Sequence, residues 1–387
     1  MRFLILPGSN ALSHLAKGLA LREALLARGH EVAFATTPAR SPFLAELGVP
    51  HHLLPDLQEA DQGSAPAYAW FRQPERFLRV VQAERALMAE VRAQRVVGVF
   101  RFTATTSAAL AGLPCDTLAC GCMIPAFRGV LGFGEGEPGA AEQGVFLEAF
   151  FRGAARRVSM ALGALGRPAV QDARALLLGG RTFLWDTPGF QPLAASEGLE
   201  HVGPLAWNRW PRAGGAVPGA PLAVLSMGTA LPPGAGPARL LDRLLALGYR
   251  VALAGGGHPA PDRNDPRITA YTYAPMNGLL ERAALLVCHG GQQTVFEALA
   301  HGVPVGVFPF HPEQAQNGLC LERLGAGARL VPPTVFWGSS DVYARALEAM
   351  DDAELDARIL ALRDLTARTP DPGLDRGAER LAERLET

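Results

Sequence analysis

At 387 residues the chain is long enough for two domains of ordinary size, each able to bury its own core. Hydrophobic residues make up 49% and charged residues 19%, with a net charge of -1, which describes a neutral globular protein without the basic stripe of a nucleic-acid binder. The apolar run at residues 3–6 is too short for a signal peptide and no stretch approaches about 18 uncharged apolar residues, so a cytoplasmic protein with no transmembrane segment is expected.

Five cysteines, Cys115, Cys120, Cys122, Cys288 and Cys320, are odd in number and lack metal-ligand spacing, so reduced thiols and no metal site are expected. Cys120 and Cys122 could pair or hold a metal, but a free cysteine usually packs as a small hydrophobe. Lys17 is the single lysine among many arginines, which reads as codon usage.

In chain order, residues 3–6 read as a buried strand and 7–10 as a loop. A helix over 13–27 follows, with Leu15, Leu19, Leu21, Leu25 and Leu26 on its apolar face, and then a strand over 31–36. This opening βαβ predicts a doubly wound sheet whose ligands gather at the carboxyl ends of the strands. Helices are expected over 38–47, 74–93 and 101–111, and strands over 51–54, 96–100 and 115–119. Residues 58–74 and 127–144 lack periodicity and read as loops, either walls of a pocket or plain surface connections. Helical stretches over 145–178 and a strand over 181–185 complete the first half, and the Pro- and Gly-rich 207–220 marks a linker.

The second half opens with a strand over 222–226 that runs into Met227-Gly228-Thr229. A helix over 237–247, a strand over 250–254, a glycine loop at 255–257 and a strand over 267–271 follow, leading to Tyr273-Ala274-Pro275-Met276. The apolar run 283–287 then gives a buried strand, His289-Gly290-Gly291 a tight turn, and a helical pattern opens with Thr294 and carries Glu297. Glycines there let an anion approach the backbone, and the helix's free amides and dipole attract it, so a phosphate or diphosphate is implied; any strand-to-helix turn would read the same. Beyond it come a strand over 303–308, Pro309-Phe310-His311-Pro312-Glu313-Gln314, Asn317, and Gly325-Ala326-Gly327 closing another helix.

His-Gly-Gly, a Thr, a Glu, Gly-Val-Pro-Val, a Pro, an acid followed by Gln, an Asn and Gly-Ala-Gly together resemble the donor-binding region of family 1 nucleotide-sugar glycosyltransferases, especially the bacterial macrolide and natural-product type. The resemblance implies the GT-B fold: two doubly wound, Rossmann-like α/β domains facing across a cleft. It divides the chain into an acceptor domain at 1–206, a linker at 207–220, a donor domain at 221–372 and a terminal helix within 373–387 that crosses back to the first domain. It also implies transfer of a sugar from a nucleotide diphosphate sugar (UDP or dTDP), with inversion, to a hydroxyl of a lipophilic small molecule. No cofactor beyond that co-substrate and no metal are implied.

Residue by residue, it makes His14 the general base, work its ordinary pKa suits. It places Thr229, His289 and the amides of Gly291, Gln292, Gln293 and Thr294 at the diphosphate, Glu297 at the ribose, Tyr273 and Met276 at the base, and Glu313 and Gln314 at the sugar. Departures stand at Lys17 for a Pro, Gln293 for a Gly, Met276 for a Gln, Glu313 for an Asp, and the region of Val99, which lacks the acid that orients the histidine. Two other activities fit: epimerisation or hydrolysis of nucleotide sugars, and a catalytically weak donor-binding helper of a partner enzyme.

Overall fold

The computed structural model describes residues 1–9, 11–57, 73–194, 196–207, 220–228, 238–255, 264–272 and 274–386. Thr229, Tyr273, the loop at 58–72 and nearly all of the linker lie outside the described residues.

By contacts the chain divides into two units, Met1–Arg128 with Leu147–Trp207 and Gly373–Thr387, and Gly129–Phe146 with Asn208–Pro372. The loop expected within the first domain thus belongs by packing to the second unit. Its residues 140–144 already belong to a long helix instead of a loop.

The first unit runs β1 (Arg2–Pro7), α1 (Leu12–Ala27), β2 (Glu31–Thr36), α2 (Ser41–Glu46), β3 (His52–Leu53), α3 (Pro74–Glu90), β4 (Arg95–Val99), α4 (Ala104–Leu110), β5 (Cys115–Ala119), α5 (Ala140–Ala164, from Leu147 onward in this unit), β6 (Thr182–Leu184) and β7 (Leu199–His201). All seven strands are parallel, in the order β3-β2-β1-β4-β5-β6-β7. The run Phe3, Leu4, Ile5, Leu6 is buried throughout, as a central parallel strand requires; each such side chain contributes about 1.5–3 kcal/mol by leaving water. Strand β7 is not among the elements expected from the sequence. Its residues are half-buried at the sheet edge and carry no alternation that would mark a strand.

The second unit runs β8 (Leu222–Ser226), α6 (Ala238–Ala246), β9 (Arg250–Ala254), β10 (Ile268–Tyr271), α7 (Met276–Leu280), β11 (Ala283–Cys288), α8 (Gln292–Ala300), β12 (Val305–Val307), α9 (Pro312–Arg323), β13 (Gly327–Arg329), α10 (Asp341–Ala349) and α11 (Asp352–Ala361). Its six strands are again all parallel, ordered β10-β9-β8-β11-β12-β13. Helix α8 opens two residues before Thr294, with Gly291 as its N-cap. Three-residue β13 escaped the sequence reading because Gly-Ala-Arg has no strand signature.

Residues 129–146 are strapped to this second sheet. Arg329, 7% exposed, donates to the Gly132 carbonyl (2.8 Å), Glu137 (2.7 Å) and Glu322 (2.7 Å), and its hydrogen bond holds the Glu137 carboxyl below the usual range. The Gly132 amide donates to Gln316 Oε1 at 3.1 Å, and the Phe336 amide to Gln143 Oε1 at 2.7 Å. The terminal helix α12 (Gly377–Glu386) packs on α1, where Glu386 receives hydrogen bonds from Arg28 and pairs with His30 at 2.8 Å.

In each unit the strand order reverses at one place: between β1 and β4 in the first, between β8 and β11 in the second. Doubly wound sheets bind ligands outside the carboxyl ends of the strands at such a reversal.

Candidate functional site

His14 stands at the first of these reversals, in the opening turn of α1 just beyond β1. The preceding loop is pinned on both sides: the Gly8 amide donates to the Val99 carbonyl at 2.8 Å and the Ser9 amide to Asp56 Oδ2 at 2.7 Å. The His14 ring, 7% exposed, stacks on Phe100 with centroids 4.8 Å apart and lies 5.6 Å from Trp185. Phe100, directly after β4, has a φ of +49°, a conformation that bulky side chains avoid; the turn it makes delivers its ring to His14. Lys17 is buried one helical turn after His14, its Nζ 4.7 Å above the Trp185 ring. Burial pushes the His14 pKa down to about 3, with the Lys17 and Arg40 charges adding to it. The imidazole is therefore neutral at physiological pH and a weak base in this resting state.

The acid missing after Val99 has a structural counterpart. Arg101 points into the sheet end and is locked there by Glu84 (2.7 Å) and Asp56 (3.2 Å), and it also donates to the carbonyls of Pro7 and Pro55. Glu84, fully buried, further accepts from Thr103 Oγ1 at 2.6 Å and from Ser107 Oγ. The charge at this sheet end braces the loop that presents His14.

At the second reversal, His289 directly follows β11. Its amide and Nδ1 both face the Ser226 carbonyl at the end of β8, at 3.2 and 3.4 Å. Its ring lies between two glycines: a Cβ on Gly228 would fall 2.6 Å from Cε1, and one on Gly291 would fall 2.4 Å from Nε2. Gly290, at φ +87°, turns the chain, and a Cβ there would meet Val307 and the Gln314 carbonyl. Asn317, fully buried, locks this turn by donating Nδ2 to the Gly290 carbonyl at 2.8 Å.

Gly291 caps α8 without a side-chain hydrogen bond, so the first-turn amides of Gln292, Gln293 and Thr294 end the helix in the manner of an anion site. Gln293 Nε2 donates to Glu297 Oε1 at 3.0 Å, which fixes both side chains on one face. Gln314 is turned inward, its Oε1 accepting from the Phe310 amide at 2.7 Å, while Glu313 is half-buried at the start of α9. Met276 opens α7 and is half-buried.

The structure thus gathers Gly291, Gln292, Gln293, Thr294, Glu297, Glu313 and Gln314 with His289 on the β11–α8 and β12–α9 turns. It adds two residues that the sequence reading passed over. Phe310 stacks parallel to His289 with centroids 6.5 Å apart, and His311 is the N-cap of α9. Although both histidines keep part of their surface open, burial lowers the pKa of His289 to about 4 and that of His311 to about 3, the latter also through His289. A histidine just before Pro312 at a helix start was the available signal. Among the described residues no group of three or more metal-ligating side chains occurs, and Cys120 Sγ lies 3.2 Å from Cys122 Sγ, both buried free thiols.

Residues 256–332, which carry this second arrangement, match the glycosyltransferase family 28 C-terminal domain. A PGL/p-HBAD biosynthesis glycosyltransferase of Mycobacterium tuberculosis is 26% identical over 352 residues, covering 85% of this chain and 80% of the relative. Among solved structures, the glycotransferase of kitacinnamycin superposes with a TM-score of 0.72 at 19% identity, over 100% of this chain and 97% of the other. Glycosyltransferase VinC in complex with dTDP does so with a TM-score of 0.59 at 17% identity, over 98% and 100%. The two doubly wound parallel sheets, the matched domain and these relatives mark the chain as a glycosyltransferase of the GT-B fold.

Proposed function

We propose that the protein moves a sugar from a nucleoside diphosphate sugar to a hydroxyl of a lipophilic small molecule, with inversion at the anomeric carbon. The observation that carries this reading is the placement of His14 and His289 at the two strand-order reversals, where each sheet offers its ligand site. The buried rings of Phe100 and Trp185 around His14 support an apolar acceptor, and the relatives named for natural products agree with one. The N-terminus of α8 beside His289, capped by Gly291 with no side-chain hydrogen bond, supports a diphosphate donor, as does the dTDP bound to VinC.

In this reading the acceptor oxygen attacks the anomeric carbon as the bond to the diphosphate oxygen breaks. His14 takes the hydroxyl proton, and the α8 amides, His289 and Thr229 receive the leaving charge in place of a metal. An imidazole with a pKa of about 3 accepts that proton late, when bond formation has already made the oxygen acidic. A second reading, a donor-binding helper with little turnover, is favoured by one observation: Arg101, bound to Glu84 and Asp56, follows β4 where an orienting acid would stand.

The test is a mass-spectrometric assay with a panel of nucleotide sugars and hydroxylated acceptors. His14→Ala should lower turnover by about 10²–10⁴-fold, and nucleoside diphosphate affinity should stay within threefold. A variant retaining a tenth of wild-type turnover sinks the base assignment. Free sugar or an epimer released without acceptor would instead make the protein a hydrolase or an epimerase, and donor binding without any product would favour the helper.

A further inference from the structure

We infer that His311 is a second diphosphate-binding residue of the donor site, and that the His289–His311 pair takes up a proton from solvent when a nucleoside diphosphate binds. The inference rests on the donor-site reading above and assigns it a residue and a property that reading does not contain.

The placement follows from the sheet. Strands β11 and β12 are parallel neighbours in register from Leu286 with Val305 to Cys288 with Val307, so both end at the same edge. Each is followed by a turn and a helix N-terminus, α8 after β11 and α9 after β12. Each helix start presents a histidine: His289 two residues before the cap of α8, and His311 as the cap of α9. The two turns are tied together, because Asn317 on α9 donates to the Gly290 carbonyl and the Phe308 amide donates to the Cys288 carbonyl at 2.8 Å. Phe310, the residue before His311, stacks on the His289 ring. Two half-open imidazoles and two helix N-termini therefore converge on one edge within the matched donor domain.

In the free protein both imidazoles are neutral at pH 7, held so by burial and, for His311, by the other ring. The charged side chains on the elements around them are Glu313, two residues along α9, Glu297, which Gln293 holds on α8, Glu322 and Arg323 at the far end of α9, and Arg329, which ends β13 beside β12 and is held by Glu137 and Glu322. A bound diphosphate changes the balance. One unit of negative charge about 4 Å away in a partly buried site raises a pKa by about three, and a diphosphate brings two or more. One imidazole then crosses pH 7 and becomes a cation beside the phosphates, while protonation of both is resisted by their mutual repulsion. In the reaction that charge meets the negative charge that develops on the leaving oxygen as the sugar departs. The proton comes from solvent at binding and returns to it when the diphosphate leaves, so the cycle is balanced.

The experiment is isothermal titration of the full chain with UDP and with dTDP at pH 7, in buffers of different ionisation enthalpy. The slope of the apparent enthalpy against buffer enthalpy gives protons taken up. We expect about 0.5–1 proton per site in the wild type, and affinity that weakens as pH rises from 6.5 to 8.5. His311→Asn should bind with the uptake at least halved. His311→Arg, which carries a fixed cation, should bind with uptake near zero and an affinity that no longer depends on pH, so a folding defect in one variant does not decide the matter. Binding without proton uptake in the wild type, or undiminished uptake in His311→Asn, overturns the inference and leaves the donor site standing. Failure of either diphosphate to bind the wild type overturns the donor-site reading, and the inference with it.

Discussion

Gly291→Ala isolates the contribution of His289 with little disturbance elsewhere. Gly291 has a φ of -61° and a ψ of 126°, angles that alanine adopts freely, so the backbone has no reason to move. The new Cβ would lie 2.4 Å from His289 Nε2 and 2.8 Å from Cε1, against an ordinary contact of 3.4–4 Å. The ring must therefore retreat by about 1 Å, a displacement of a positioned catalytic group that typically costs about 10²-fold. The helix cap itself loses only about 0.5–1 kcal/mol when alanine replaces glycine. We expect kcat/KM for the donor to fall by about 10²-fold, with Kd for the diphosphate weakened, while the thermal midpoint drops by only a few degrees. Gly153→Ala on α5, where a Cβ meets nothing within 4 Å, serves as the control; it should leave activity unchanged and stabilise by up to about 1 kcal/mol. Wild-type donor affinity and turnover within threefold in Gly291→Ala would refute the placement of His289 at the diphosphate.

Arg329→Met leaves Glu137 and Glu322 without their shared cation and should destabilise the second unit by about 3–5 kcal/mol in urea titrations; a loss below 1 kcal/mol would show that residues 129–146 are not held by this ion pair. The His14 pKa of about 3 lies below the value of about 6.5 in an unfolded chain, so the unfolded state binds a proton that the folded state refuses. Its contribution to stability is complete above pH 6.5 and is lost as pH falls toward 3, by at most about 3 kcal/mol between pH 6.5 and 4.5. His14→Asn should flatten that part of the curve, measured as urea midpoints at pH 7, 5.5 and 4.5. Lys17→Met should raise the basicity of His14 yet lower turnover, because the ammonium that opposes imidazolium also favours a negatively charged acceptor oxygen; unchanged turnover would remove Lys17 from the reaction.

Much of the architecture was legible because both sheets are parallel and buried, and parallel strands write themselves as uninterrupted apolar runs. Residues 3–6, 222–226 and 283–287 are such runs, and they stand at the centres of their sheets. The short edge elements were not legible: β7 is half-buried and β13 is three small or polar residues, so tertiary pairing alone makes them strands. Glycines at 290 and 291 marked the strand-to-helix turn, but sequence could not show that Gly228 approaches the His289 ring from the end of β8. Nor could it show that the glycine-rich 129–146 packs on the second sheet. That choice is made by Arg329, nearly two hundred residues away, through bonds to a backbone carbonyl and a carboxylate. Lys17 read as codon usage, and only the fold brings it over Trp185 beside His14.

The three buried histidines share a resting state, neutral at pH 7, but their surroundings differ in sign. Around His14 the field is positive, from Lys17 on its own helix and from Arg40, and an apolar acceptor cannot reverse it. In the proposed reaction a proton on His14 is therefore costly throughout, and the same cations would favour negative charge on the attacking oxygen, so activation of the acceptor would depend on the field at least as much as on the base. Around His289 and His311 burial dominates the resting state, opposed at His289 by the Ser226 carbonyl and reinforced at His311 by the other ring, and the expected ligand carries negative charge that would reverse it. Identical side chains are thereby directed to opposite tasks. On the proposed reading, the histidine near fixed cations stays a proton acceptor of last resort, and those assigned to the phosphates become cations when the donor arrives. On that reading no carboxylate is needed beside His14, in keeping with a chain whose Arg101, locked by Glu84 and Asp56, follows β4 where the acid would stand.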